Sequence, residues 1–214
     1  LYERRRAYSR RIYYLPNAAD VAHFNKACDP ETPVPEEIER LPRPRLCIVG
    51  VIQEWVDTEL LAYVARERPE WTLVLIGPVA PGVDLHGLDR MGNVFFAGRK
   101  PKEELPNYLK GCDVCLNVFR ASALTANVSP LKFYEYLASG RPVVSTDMPA
   151  VREFADVVAV AADAPGFVAA VERTLAGENA ARREERLARA REHSWEARVA
   201  FMEEKIAAVL REKE

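Results

Sequence analysis

Apolar residues along this chain fall into two alternating patterns. Short continuous runs occur at Leu46–Gly50, Trp71–Ile76, Val94–Phe96, Val114–Val118, Val143–Ser145 and Val157–Val160. Runs of this length, closed by glycine, proline or polar residues, read as strands buried on both faces. A further short strand is expected at Ile12–Leu15. Between the runs, apolar residues recur three or four apart, which predicts helices. Asp57 caps one from Thr58 to about Arg68, with Leu60, Leu61 and Val64 on one face. Others are expected over 101–110, 129–139 and 166–176, with a helical turn at 151–155. Asp20 is placed to cap a turn through Val21 and Phe24. Residues 29–45 hold five prolines and read as a surface connection around one short helix.

Strands alternating with helices predict an α/β fold: a Rossmann-like parallel sheet with helices on both faces, plus C-terminal helices. From Glu178 onward the chain is rich in Ala, Arg and Glu. Trp195, Val199, Met202, Ile206 and Val209 form an apolar stripe at helical spacing, expected to pack on this domain or a neighbouring one. In such sheets ligands bind beyond the carboxyl ends of the strands. Gly50, Gly77, Gly98, the Arg120–Val128 loop and the segment from Ser129 all fall at that edge.

Ser129–Ser145 organises the rest. Ser129 is a good N-cap, Pro130 suits the first helical position, and Gly140 suits the left-handed residue that ends a helix. Lys132 lies in the first turn, where a cation is unfavourable by about 0.3–1 kcal/mol unless an anion intervenes. Helix N-termini bind phosphate for the same reason. Glu135 follows one turn later on the same face. Together the two suit a nucleoside diphosphate whose ribose hydroxyls bond the carboxylate. The alternative at this point is an exposed Lys132–Glu135 ion pair worth a few tenths of a kcal/mol.

Composition narrows the chemistry. With 214 residues and 49% hydrophobic content the chain buries a full core, and a formal net charge of −2 gives no electrostatic case for nucleic acid. No apolar run approaches the roughly 18 residues of a membrane span. Arg4, Arg5, Arg6, Arg10 and Arg11 read as the solvated face of a helix end; attraction to an acidic membrane surface is the other reading. Cys28, Cys47, Cys112 and Cys115 are too few for a disulfide framework, and Cys112–Cys115 sits in a core-strand pattern, so a reducing cytoplasm is expected. His23, His86 and His193 are scattered and read as surface residues. Glycine-rich dinucleotide and P-loop signatures, the serine hydrolase elbow and Asp-x-Asp are all missing. What remains is a site without cofactor or metal that holds a diphosphate and stabilises its departure electrostatically.

These residues carry a resemblance. Tyr14-Leu-Pro-Asn-Ala-Ala-Asp20 is similar to the Ile-Pro-Asn-Gly-Val-Asp turn that opens the C-terminal domain of GT-B fold glycosyltransferases. Val94-Phe-Phe-Ala-Gly98, the Glu103-Glu-Leu helix and Asp113-Val-Cys-Leu resemble its next elements in order. Pro130-Leu-Lys-Phe-Tyr-Glu-Tyr-Leu137 resembles its donor-binding helix, and Glu54-Trp-Val-Asp57 the Glu-Trp-Phe-Asp segment of family-four-like bacterial enzymes. The likeness covers about residues 12–200.

The resemblance implies transfer of a sugar from a nucleoside diphosphate sugar, with retained anomeric configuration. It assigns the ribose to Glu135; Ser129, Pro130, Leu131 and Lys132 are expected to bind the donor, with Lys132, Glu135 and Asn127 as the catalytic candidates. The family's glutamate facing the donor sugar falls on Asn127, which puts donor identity in doubt. Val51 stands where many relatives carry arginine, so Lys132 and Arg120 are left to supply positive charge. Gly98, Arg99 and Lys100 stand where relatives contact the base through the backbone. Residues 1–11 would end a hinge helix, 12–176 form the donor domain, and 177–214 form helices that cross to an N-terminal acceptor domain. That half is expected to be missing here, leaving a chain that binds nucleotide but does not turn over alone. A non-catalytic nucleotide-sugar sensor or assembly module, and a nucleotide-sugar epimerase, are the competing readings. The base, the sugar and the acceptor stay open.

Overall fold

The computed structural model describes residues 2–9 and 11–211. Its six strands are β1 (Arg45–Val49), β2 (Thr72–Ile76), β3 (Val94–Phe96), β4 (Val114–Asn117), β5 (Val143–Thr146) and β6 (Ala159–Ala161). They form one parallel sheet in the order β3-β2-β1-β4-β5-β6. The order reverses between β1 and β4, so the crevice expected of such a sheet opens beyond their carboxyl ends.

The helices are α1 (Tyr2–Arg6), α2 (Val21–Phe24), α3 (Glu36–Glu39), α4 (Thr58–Glu67), α5 (Leu105–Lys110), α6 (Leu131–Ala138), α7 (Ala164–Gly177), α8 (Ala180–Glu192) and α9 (Trp195–Arg211). Alternation along β1 shows why its sequence is apolar throughout. Leu46 and Ile48 pack with Leu61, Val64, Phe167 and Val171 of α4 and α7. Cys47 and Val49 turn the other way, into Phe24, Leu109, Phe133 and Leu137 of α2, α5 and α6. Both faces are dry, and each side chain fully buried there contributes about 1.5–3 kcal/mol.

Several expectations change. Ile12–Leu15 forms no strand. Its rings turn to neighbouring helices instead: Tyr13 meets Phe201 of α9 edge-on at 5.9 Å and Tyr14 meets Tyr2 of α1 at 5.8 Å. The helix expected over residues 1–11 is the short α1; Leu1 and Arg10 lie outside the described residues. β1 begins at Arg45, a buried arginine whose guanidinium donates to the carbonyls of Leu41, Gly111 and Glu39 at 2.6–3.1 Å. The last strand starts two residues later than its apolar run, at Ala159. The stripe on α9 is not covered by this domain: Trp195, Val199, Met202 and Ile206 are exposed.

The cysteines are free, and Cys47, Cys112 and Cys115 are buried in the core. Hydrogen bonding among those three thiols, with burial added, pushes the Cys47 thiol well up, so it stays protonated.

Where β1 and β2 end, their loops stay in register. The N–H of Gly50 donates to the Ile76 carbonyl at 2.9 Å, and that of Ile52 to Pro78 at 2.9 Å. The backbones come so close that a Cβ on Gly77 would lie 1.9 Å from the Gly50 carbonyl oxygen. Gly77→Ala should therefore destabilise the fold by about 3 kcal/mol or more in urea denaturation, whereas Gly82→Ala, at a position with open space around it, should cost less.

Candidate active site

α6 is set against the end of β1 by one tyrosine. The Tyr136 hydroxyl is buried, accepts the Val49 N–H at 2.7 Å and faces the Val49 carbonyl at 3.4 Å. Burial, the largest influence, pushes the phenol pKa well up, so it stays a neutral donor and acceptor. One helical turn toward the N-terminus, the stem of Lys132 lies over Gly50: its Cγ is 3.9 Å from where a Cβ on that glycine would be. Lys132 Nζ donates to Glu135 Oε2 at 2.6 Å. The pair is not the exposed one that spacing alone allowed, because the Glu135 side chain is only 7% accessible. Burial raises the Glu135 pKa, while Lys132 first, then Lys102 and His23, work against that rise.

The start of α6 differs from the capping expected. Pro130 takes the N-cap position, no side chain caps the helix, and Ser129 lies outside it. The backbone N–H groups of Leu131 and Lys132 have no hydrogen-bond partner among the described residues. Ser129 is tied to the turn near the chain's beginning instead. Asn17 donates its side-chain amide to the Ser129 carbonyl at 2.6 Å and its backbone N–H to Ser129 Oγ at 3.2 Å. At the other end Gly140 has φ +68°, the left-handed conformation that terminates the helix.

The remaining sequence-derived candidates are spread around this centre. Gly98, at φ +68°, begins a loop whose Lys102 carbonyl pairs with His23 Nε2 at 2.9 Å. Arg99 is exposed. The Lys100 ammonium is committed elsewhere, to Glu37 at 2.7 Å and over the Tyr108 ring. Arg120 points to Thr58 Oγ1 at 3.3 Å, at the start of α4 and so on the sheet face opposite α6. The structure thus does not bring its guanidinium together with Lys132. Asn127 is exposed, and its amide donates to the Ala123 carbonyl at 3.0 Å. Gly50 and Gly77 act through backbone proximity, as described above.

Sequence reasoning gave Asn17 and Tyr136 no role beyond membership of their motifs. Nothing in residue type or spacing reveals which buried hydroxyl will meet a strand end, although the Pro-Asn turn did mark Asn17. His193 also differs from its expected surface position. It is partly buried between Tyr134 and Phe154, and Arg198 donates to its Nδ1 at 2.6 Å. Desolvation, then Arg198 and Arg189, lower its pKa to about 4. Among the described residues, no group of three His, Cys, Asp or Glu side chains is arranged to hold a metal, and no helix is long and apolar enough to cross a membrane.

The sheet order, the open edge beyond β1 and the uncapped α6 define a doubly wound α/β domain, and comparison with known proteins makes the class specific. Residues 43–177 match the family described as glycosyl transferases group 1, and the chain belongs to it. TuaH of Bacillus subtilis, whose name assigns it to teichuronic acid biosynthesis as a glycosyltransferase, is 32% identical over 140 residues. That match covers 63% of this chain and 35% of TuaH. HepE of Anabaena, solved with UDP and glucose, is 17% identical with a TM-score of 0.62, over 91% of this chain and 55% of HepE. A UDP-forming α,α-trehalose-phosphate synthase from Burkholderia vietnamiensis is 17% identical with a TM-score of 0.67, over 91% of this chain and 53% of the synthase. The chain thus spans about a third of the curated relative and about half of each solved structure, and its fold is one half of the GT-B architecture.

Two measurements check this local account. Tyr136→Phe leaves the buried Val49 N–H without its acceptor and should cost about 1–3 kcal/mol in chemical denaturation. His193 binds a proton less readily folded than unfolded, so its contribution to stability is complete above pH ~6.5 and is lost as pH falls toward about 4. Thermal melts should show wild type losing more stability between pH 7 and pH 5 than His193→Gln, which retains an acceptor for Arg198.

Proposed function

We propose that this chain is the donor half of a glycosyltransferase and binds a nucleoside diphosphate sugar across the ends of β1 and α6. The observation that carries the reading is the unpaired start of α6 beside Lys132. Two free N–H groups and an ammonium converge there, next to a buried carboxylate. A diphosphate would accept from the N–H groups of Leu131 and Lys132 and from Lys132 Nζ, which has three donors and uses one on Glu135. The ribose hydroxyls would bond Glu135. The base would lie toward the loop that starts at Gly98, reached through the backbone of Arg99 and Lys100. Their side chains point to other roles or to solvent.

Transfer would then need no group to activate the donor beyond this cradle. As the glycosidic bond lengthens, negative charge grows on the leaving diphosphate, and the donors at α6 meet it where it grows. Retention of anomeric configuration follows only from the family likeness. Asn127 would lie near the donor sugar, in place of the family's carboxylate. An N-terminal acceptor domain would form the other wall of the cleft, and the exposed stripe of α9 suits contact with such a domain.

A second reading is a nucleotide-sugar sensor without turnover. It is favoured by Val51 and Asn127, two positions where a charged residue of the family is replaced.

Titration calorimetry with UDP, GDP and ADP tests the site. One nucleotide should bind, and Lys132→Ala should weaken it by about 10- to 150-fold, equivalent to the roughly 1.5–3 kcal/mol of a charge-assisted hydrogen bond. Glu135→Ala should weaken the nucleoside diphosphate much more than inorganic pyrophosphate. Equal, weak binding of every nucleotide by wild type and both variants would reject the assignment. Transfer or hydrolysis of a labelled donor by the full-length protein separates enzyme from sensor.

A further inference from the structure

We propose that a second cleft on the same sheet edge, between α4 and the segment after β5, binds a neutral oligosaccharide stretch of the acceptor or product chain. The proposal rests on the glycosyltransferase reading for the identity of that chain. Its geometry is independent of the α6 site, because α4 covers the opposite face of the sheet.

The cleft is a cavity of about 550 Å³, within the roughly 300–1,000 Å³ of small-ligand sites. Glu59, Tyr63 and Arg66 line one side. Spaced four and three residues apart, they share a face of α4. None of the three side chains makes a hydrogen bond or ion pair with another described residue. A half-buried phenol, a carboxylate and a guanidinium therefore line one cavity with their hydrogen-bonding capacity unused. Asp147 and Arg152 line the other side. They hold each other through two bonds, Nε to Oδ1 at 2.7 Å and an Nη to Oδ2 at 2.9 Å, which fixes both planes. Phe119 also lines the cleft, its N–H donating to Thr146 Oγ1 at 3.1 Å, as do Asp57 and Asp163, whose carboxylates cap α4 and α7.

The chemistry of this lining selects the ligand class. The lining carries Asp57, Glu59, Asp147 and Asp163 against Arg66 and Arg152, an acidic excess, and the Asp147–Arg152 pair cancels its own charge. A nucleotide or polyanion gains little from such a field. Leu60, Ala161, Ala162 and Ala164 add apolar surface between these charged groups, which an acyl chain would have to desolvate. Vicinal hydroxyls, which donate and accept in pairs, match planar carboxylates and guanidinium groups. Tyr63 and Phe119 put aromatic rings in the lining, on which the C–H side of a pyranose would stack. Phe119 also begins the loop that runs through Arg120–Val128 into α6, so the cleft and the proposed donor site share one connecting segment.

The test uses this chain, isotopically labelled, with NMR spectra recorded during titration with tetrasaccharides of glucose, galactose and N-acetylglucosamine. Tetraglucuronate and UDP serve as comparators. At least one neutral tetrasaccharide should give saturable shifts, at millimolar concentration, confined to α4, residues 119–121 and residues 146–152. Tyr63→Ala should weaken that binding about tenfold, the scale of one stacked ring. Glu59→Gln, at an exposed position that leaves the fold intact, should weaken it several-fold. Both variants should bind UDP as wild type does, while Lys132→Ala should lose UDP and keep the saccharide. The proposal is overturned if no neutral tetrasaccharide shifts these resonances, if only tetraglucuronate does, or if Glu59→Gln and Tyr63→Ala both bind unchanged. Failure of the wild type to bind any of UDP, GDP and ADP, with saccharide binding intact, would instead count against the donor site.

Discussion

A hydroxyl-to-backbone contact sets the geometry of the functional edge. Parallel strands end abruptly, and the last N–H of β1 would be left in an apolar layer without a partner. Tyr136 supplies that partner. Such a bond adds only about 1 kcal/mol net, but leaving the N–H unpaired would cost about 1–3. The helix is thereby held at one height over β1. Because Val49 precedes Gly50, and Lys132 precedes Tyr136 by one turn, the same bond places the lysine stem over Gly50. The fit also depends on Gly77, whose lack of a side chain lets the two strand-end loops close on each other. Register at the end of the sheet and position of the candidate site are thus one constraint.

A second set of contacts joins that site to both ends of the described chain. Ala19 donates to the His193 carbonyl at 3.1 Å and accepts from Trp195 at 3.2 Å, which stitches the early turn to the α8–α9 corner. Two residues before Ala19, Asn17 grips Ser129, at the entry to α6. Tyr134 of α6 lies against His193 from within, and its hydroxyl is 3.3 Å from Ser129 Oγ. Displacement of the early turn or of α9 would therefore reach the α6 start through two hydrogen-bonded layers rather than through the sheet.

The fold was legible in the sequence because it rests on local and periodic signals. Continuous apolar runs such as Leu46–Val49 reveal a sheet covered on both sides, and Asp57 and Asp20 mark helix starts through their own side chains. The signal failed where a residue's role depends on distant partners. Ile12–Leu15 has strand composition, but its rings pack on α1 and α9 and it joins neither edge of the open sheet. Ser129 has cap chemistry but is occupied by Asn17. Lys100 and Arg120 carry the right charge at the right edge, yet Glu37 and Thr58 hold them elsewhere. Lys132 and Glu135 were legible because both lie on one short helix, where spacing alone determines that they face together.

The burial of Glu135 bears on what the carboxylate is for. Removing an ionised carboxylate from water costs several kcal/mol, and a single lysine bond offsets only part of that. The raised pKa of Glu135, with burial as its largest cause, records the same imbalance. An apolar residue of similar size there would avoid that desolvation cost. Lys132 fares little better, since it sits in the helix turn least suited to a cation. Two residues that each strain the local electrostatics are therefore kept together at an open strand end. That cost has no structural return within this domain. It is repaid if a ligand brings an anion to the helix start and hydroxyl groups to the carboxylate, which is the trade of stability for function expected at a binding site.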